Sequence, residues 1–159
     1  MEVIAVAREG LRSMYVVNET KYDNSVLNPL IQFVLTQMPI GQFAWLHMVE
    51  GEVNHPLEVT GGLAEAYVPF PSDPIVAHRV TLWLKFNTAK YPYKTCHRKS
   101  VGEVEVTSWE EEFVLVLAHE LRHIHQFVFG APRQYEVDAE RCAIAVLERY
   151  RNRNTRRVA

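Results

Sequence analysis

The sequence predicts a single α+β domain: a small, mostly antiparallel sheet, an N-terminal packing helix, and two C-terminal helices. Three observations predict it. Apolar residues recur at helical spacing over residues 23–38, hydrophobicity alternates between residues 42 and 86, and a long apolar run with readable caps opens the last third. At 159 residues the chain fits one domain, 1–159, with length enough for a real core, and 48% hydrophobic content without low-complexity runs implies a folded protein.

In chain order, residues 2–7 are short and β-branched enough to form a strand. Residues 23–38 read as a helix, because Leu27, Leu30, Ile31, Val34, Leu35 and Met38 follow the period of about 3.6. Pro29 is tolerable there only in a first turn, and Pro39 marks the end. From Gln42 the period becomes two, with Phe43, Trp45, His47 and Val49 alternating with Ala44, Leu46 and Met48 before a turn over 50–56. Residues 57–68, interrupted by Gly61 and Gly62, suggest a further strand or a broken hairpin. Pro69, Pro71 and Pro74 then make a rigid connection outside any strand. The clearest strand is 79–86, with Val80, Leu82, Leu84 and Phe86 on one face and Thr81, Trp83 and Lys85 on the other. Residues 87–100 form a polar, basic loop, and 101–106 a last strand.

A helix over 109–129 has both ends written in the sequence. Ser108 is a good N-cap, Glu111 completes a capping box with it, and Glu110, Glu111 and Glu112 suit the positive end of the dipole. Gly130 supplies a stop, and Pro132 opens a second helix over 132–151. Residues 113–118 are apolar all round, the pattern of a buried helix.

Directly after that run stand His119, Glu120 and His123, in the pattern H-E-x-x-H. Residues four apart share a helix face, so both imidazoles can turn toward one point, as a zinc ion requires. Glu120 lies about 100° further round, beside such an ion rather than on it. Its carboxylate is placed to take a proton from the water nucleophile and return it to a leaving amine. Ionisable groups at the end of a buried helix must be paired or bound to metal, because burying them alone is costly. That weighs against a surface helix carrying these residues by chance.

A third ligand is expected on the second helix, from Glu136, Asp138 or Glu140. Asp138 points away from the face that Glu136 and Glu140 share, and geometry alone leaves the choice between those two open.

His119-Glu120-x-x-His123 followed by Glu136-x-x-Ala139-Glu140 resembles the gluzincin arrangement, and is similar to the pattern of ImmA/IrrE-type peptidases, minigluzincins and CAAX-prenyl protease relatives. The resemblance covers residues 114–147. It implies a zincin-like fold and zinc-dependent hydrolysis of peptide bonds. It also implies one zinc ion per chain held by His119, His123 and Glu136, with Glu120 as catalytic base and Glu140 orienting a ligating histidine from behind. In zincin folds a sheet strand near the motif helix pairs with extended substrate, and residues 79–86 are the candidate. A gluzincin also uses a Tyr or His to stabilise the oxyanion, which leaves Tyr91, Tyr93, His97 and Tyr135 open. Arg122 and His125 stand where zinc peptidases usually carry uncharged and apolar residues. Arg122 is expected to reach solvent or pair with an acid, and His125 to lie off the metal face.

The remaining composition narrows the partners. A net charge of −2 gives no global reason to expect nucleic acid or an anionic membrane, and no segment approaches the ~20 apolar residues of a membrane span. With no basic start leading into an apolar stretch, the expectation is a soluble, cytoplasmic protein whose partner is a protein or peptide substrate, its oligomeric state open. The arginine-rich end, RYRNRNTRRVA, reads as a frayed basic tail whose contact with nucleic acid would be accessory. Cys96 and Cys142 are too few for a disulfide framework, Cys142 reads as a buried thiol, and His47 and His55 lack partners at metal-binding spacing. A reading from a different class keeps the same zinc as a structural element in a catalytically inactive binding or regulatory protein.

Overall fold

Alternating and periodic segments of the chain assemble into a sheet covered by helices. The structure, a computed structural model, describes residues 3–6, 14–38, 44–50, 60–67, 77–85, 91–96, 101–130, 133 and 135–158. In chain order its elements are β1 (Val3–Val6), β2 (Met14–Glu19), α1 (Asn24–Gln37), β3 (Ala44–Glu50), β4 (Thr60–Tyr67), β5 (Ala77–Leu84), β6 (Tyr93–Cys96), β7 (Glu103–Val106), α2 (Trp109–Phe129) and α3 (Tyr135–Val158). The fold is α+β, and no described helix is long and apolar enough to cross a membrane.

The main sheet has five strands in the order β1-β2-β3-β5-β4. Its centre is parallel, β2 with β3 and β3 with β5, and only the two outer pairings are antiparallel. This corrects the expectation of a mostly antiparallel sheet. The reason is α1, which links β2 to β3 as a crossover and so returns the chain in the same direction. A separate two-stranded sheet pairs β6 with β7.

One sheet face meets the helices. Val16, Leu46, Met48, Val80, Leu82 and Leu84 alternate along β2, β3 and β5, and all are within 1% of complete burial in one cluster with α1, α2 and α3. Trp83, on the opposite face of β5, is exposed. Each large apolar side chain buried this way contributes about 1.5–3 kcal/mol. Phe113, Leu117, Leu121 and Ile124 line the sequestered side of α2, while Ala118, Ala139 and Ala143 are buried and small enough to let α2 and α3 approach closely.

Local chemistry sets the helix ends. Asp23 caps α1 by accepting from the Ser25 N–H at 2.7 Å. Pro29 falls in the second turn rather than the first, where the bond it cannot make leaves the Ser25 carbonyl at an exposed position open to water. At α2, Ser108 accepts from the Glu111 N–H at 3.3 Å, but the Glu111 carboxylate reaches back one residue further than a capping box requires, to the Thr107 N–H at 2.9 Å. Gly130 closes α2 with φ of 92°, a conformation that favours glycine.

The basic C-terminal segment is helix, not a frayed tail, because α3 continues past residue 151 to Val158. Arg151 secures it. Its guanidinium makes a two-pronged contact with Glu111, Nε to Oε1 at 2.9 Å and Nη2 to Oε2 at 2.6 Å, and also donates to the Glu105 carbonyl. Burial would raise the Glu111 carboxyl, but Arg151 and the Thr107 N–H outweigh it and hold the group below its ordinary range. Charge-assisted bonds of this kind are each worth on the order of 1.5–3 kcal/mol.

Three sequence expectations are revised at element level. β2 and β6 were not expected as strands, β6 lying inside the stretch read as loop. The second C-terminal helix begins at Tyr135, with Pro132 outside the described residues. The strand expected to offer an edge to substrate, β5, is interior, paired with β3 on one side and β4 on the other. Among the described strands the sheet's edges are β1 and β4, and β4 is the strand that α2 contacts most extensively.

Candidate metal centre

The buried run of α2 carries His119 and His123 to the end of the core, and α3 folds back so that Glu136, in its first turn, meets them. The two Nε2 atoms are 3.0 Å apart, and each lies 3.4 Å from one oxygen of Glu136, His119 from Oε2 and His123 from Oε1. Four donors at about 2.0–2.1 Å around a tetrahedral ion are separated by about 3.3 Å, and the two histidine nitrogens with a carboxylate facing both come close to that spacing. His119, His123 and Glu136 form a group that could hold a metal ion, with ligand atoms all within 4.8 Å of one another. Of the two acids that sequence geometry left open, Glu136 is the one in this group.

Glu140 is buried one turn further along α3 and is not among the converging donors. Glu120 is buried, 8% exposed, next to His119 on α2 and also outside the ligand set.

The second ring nitrogen of His123 is held by a side chain that sequence reasoning missed. His123 Nδ1 lies 2.7 Å from Oε1 of Gln126, itself 4% exposed. The Gln126 amide nitrogen donates to the Tyr135 carbonyl at 2.8 Å and to Asp138 Oδ2 at 2.9 Å. With both amide hydrogens committed, its oxygen can only accept, so Nδ1 carries the proton and Nε2 presents its lone pair to the ion site. Asp138 is kept an acceptor by Arg122, whose Nε and Nη2 donate at 2.7 and 3.1 Å. That guanidinium, with help from Gln126, holds the Asp138 carboxyl below its usual range. Arg122 therefore has a definite partner in an acid, and Asp138 serves the site although it points away from Glu136. The signal was present in the sequence as Gln126 three residues after His123, a spacing at which helix side chains meet.

Gln126→Leu is expected to lower metal affinity about 10–100-fold, as loss of a ligand-orienting partner does. Competition against a chromophoric chelator measures it, and wild-type affinity in a folded variant would show that Gln126 does not set the ligand.

The candidates for oxyanion contact separate. Tyr91 and Tyr93 both donate to the carboxylate of Glu112, Tyr93 to Oε1 at 2.5 Å, and burial followed by these contacts pushes both phenols up. Glu112 lies two turns before His119 on α2, roughly 10 Å along the axis, so both hydroxyls are committed away from the metal group. His97 lies outside the described residues. Tyr135, half exposed, has its ring centroid 5.9 Å from that of His123.

Other histidines and cysteines fall away from the centre. His47 Nε2 meets Glu19 at 2.8 Å, and His125 packs edge-on against Phe129, off the metal face. Cys142 sits against Met38, its thiol pushed up by burial, while His55 and the side chain of Cys96 lie outside what the structure describes.

Comparison of the chain with protein families, curated proteins and solved structures found no match. The functional reading therefore rests on the geometry of the centre and on the motif.

Proposed function

We propose that the protein is a zinc-dependent peptidase of gluzincin type, with His119, His123 and Glu136 as ligands and Glu120 as base. The observation that carries this reading is the convergence of one donor atom from each of His119, His123 and Glu136 within 4.8 Å of one another, beside a buried glutamate that is not one of them. Imidazole and carboxylate donors suit zinc, and a three-ligand set leaves the fourth position open, as a catalytic site requires. Bound there, zinc supplies a Lewis acid that polarises the scissile carbonyl and brings the pKa of a bound water to about 7.

The chain's own residues do the rest. Glu120 accepts the proton of the attacking water and delivers it to the departing amine. Gln126 holds His123 in the ligating tautomer, with Asp138 and Arg122 behind it. Tyr135, whose ring centroid lies 5.9 Å from that of His123, would donate to the carbonyl oxygen as charge develops there. Extended substrate adds as a further strand to β4, whose outer side pairs with no strand among the described residues and which runs beside α2.

The test is cleavage of an unstructured protein by the purified chain. Turnover that a chelator abolishes and zinc restores is the expected result. A chain that holds zinc and cleaves nothing would point instead to the binding or regulatory reading, with zinc as a structural element.

A further inference from the structure

We propose that the far end of α3 is a binding site for the phosphate backbone of nucleic acid. Because α3 stays helical to Val158, the arginines near the C-terminus occupy fixed positions. Arg149, Arg153, Arg156 and Arg157, with Asn152, line an open groove of about 550 Å³ whose other wall is Phe33 and Gln37 of α1. Residues 149–157 contain five arginines and no acidic residue, in a chain whose net charge is −2.

Among the described residues the groove's arginines have no acidic partner in an ion pair. Glu148, the adjacent acid, exerts its influence on Arg151. Attraction to the negative end of a helix dipole accounts for Arg156 and Arg157, which lie in the last turn. It does not reach Arg153 or Arg149, one and two turns earlier. Arg153 rests over the Phe33 ring, 5.6 Å from its centroid, and Phe33 is fixed edge-on against Tyr150 at 5.3 Å. A stacked guanidinium is pre-organised yet keeps its N–H edge for an anion.

The pattern favours phosphodiester over acidic peptide. Positions 149, 153 and 156 or 157 step along one helix face at about 5–6 Å, which calls for an anion at each step. A nucleic acid backbone supplies one charge per residue whatever its sequence, whereas a peptide must have its acids placed to match. Every cation in the groove is arginine, whose planar fork fits phosphate oxygens, and Asn152 and Gln37 add neutral donors and acceptors for sugar or base. Glu136 to Arg149 is thirteen residues of α3, roughly 20 Å, so the groove is distinct from the metal centre and the proposal stands apart from the peptidase reading.

The experiment is fluorescence anisotropy on the full chain with a labelled 20-nucleotide oligothymidylate and a duplex of equal length, each titrated at several salt concentrations. Polyglutamate serves as the rival polyanion. The expected result is binding that weakens linearly in log salt, with the tighter of the two probes showing whether single or double strands are preferred. Arg149→Ala/Arg153→Ala/Arg156→Ala is expected to weaken single-strand binding at least about tenfold and to reduce the salt slope by about 2, at about 0.7 per phosphate contact. Arg149→Ala/Arg157→Ala spares the Phe33 contact and is expected to show the same effect in smaller measure, with unchanged circular dichroism. Absence of salt-dependent binding, wild-type binding by both folded variants, or polyglutamate held as tightly as the oligonucleotides would overturn the proposal.

Discussion

Glu120→Gln is expected to lower peptide-bond hydrolysis by about 10²–10⁴-fold while zinc stays at one per chain. Glutamine matches glutamate in size, so the packing around this buried position survives, but its amide oxygen cannot take a proton from water. Because Glu120 is not one of the three converging donors, the metal group is left intact. Activity and elemental zinc measured on the same sample separate the possibilities. A variant that keeps zinc and near-normal turnover would remove Glu120 from the role of base, and one that loses zinc would make it part of the metal site.

Glu136→Ala is expected to strip the protein of zinc, and Glu140→Ala to leave most of it. Glu136 faces both histidines, its Oε2 3.4 Å from the His119 nitrogen and its Oε1 3.4 Å from that of His123, so its removal leaves a two-histidine site lacking a negative donor. Glu140, one turn away, is buried but outside that triangle. Its loss is expected to weaken binding without abolishing it, in the manner of a residue that supports a ligand. Elemental analysis of the purified variants decides the matter. Zinc lost with Glu140 and kept without Glu136 would exchange the two roles and undo the match to the E-x-x-A-E pattern.

Much of what the sequence shows is local. α1 and α2 obey the helical period and are capped at Asp23 and Ser108 by side chains that bond within a few residues, so nothing distant is needed to set their ends. The pairing of His119 with His123 is equally local, since four residues on a helix form one face. β2 was missed although Val16 and Val17 are β-branched, because a strand this short becomes distinct only when it pairs with β3. β6 was missed because its pairing with β7 and the seating of Tyr93 on Glu112 are contacts between elements.

By itself the sequence determined the α+β class, the N-cap of α2 at Ser108, the two histidines of the candidate metal group and the glutamate beside them, all consequences of spacing along one segment. Only the tertiary structure shows which acid of α3 comes to the two histidines, because that depends on where α3 lands against α2. The same holds for the service of Arg122, Asp138 and Gln126 to His123, the parallel centre of the sheet, the edge position of β4 and the extension of the arginine-rich end as helix held by Glu111. Each joins residues distant in sequence, or depends on a contact that does, and one segment's periodicity carries no information about the partner that will pack against it.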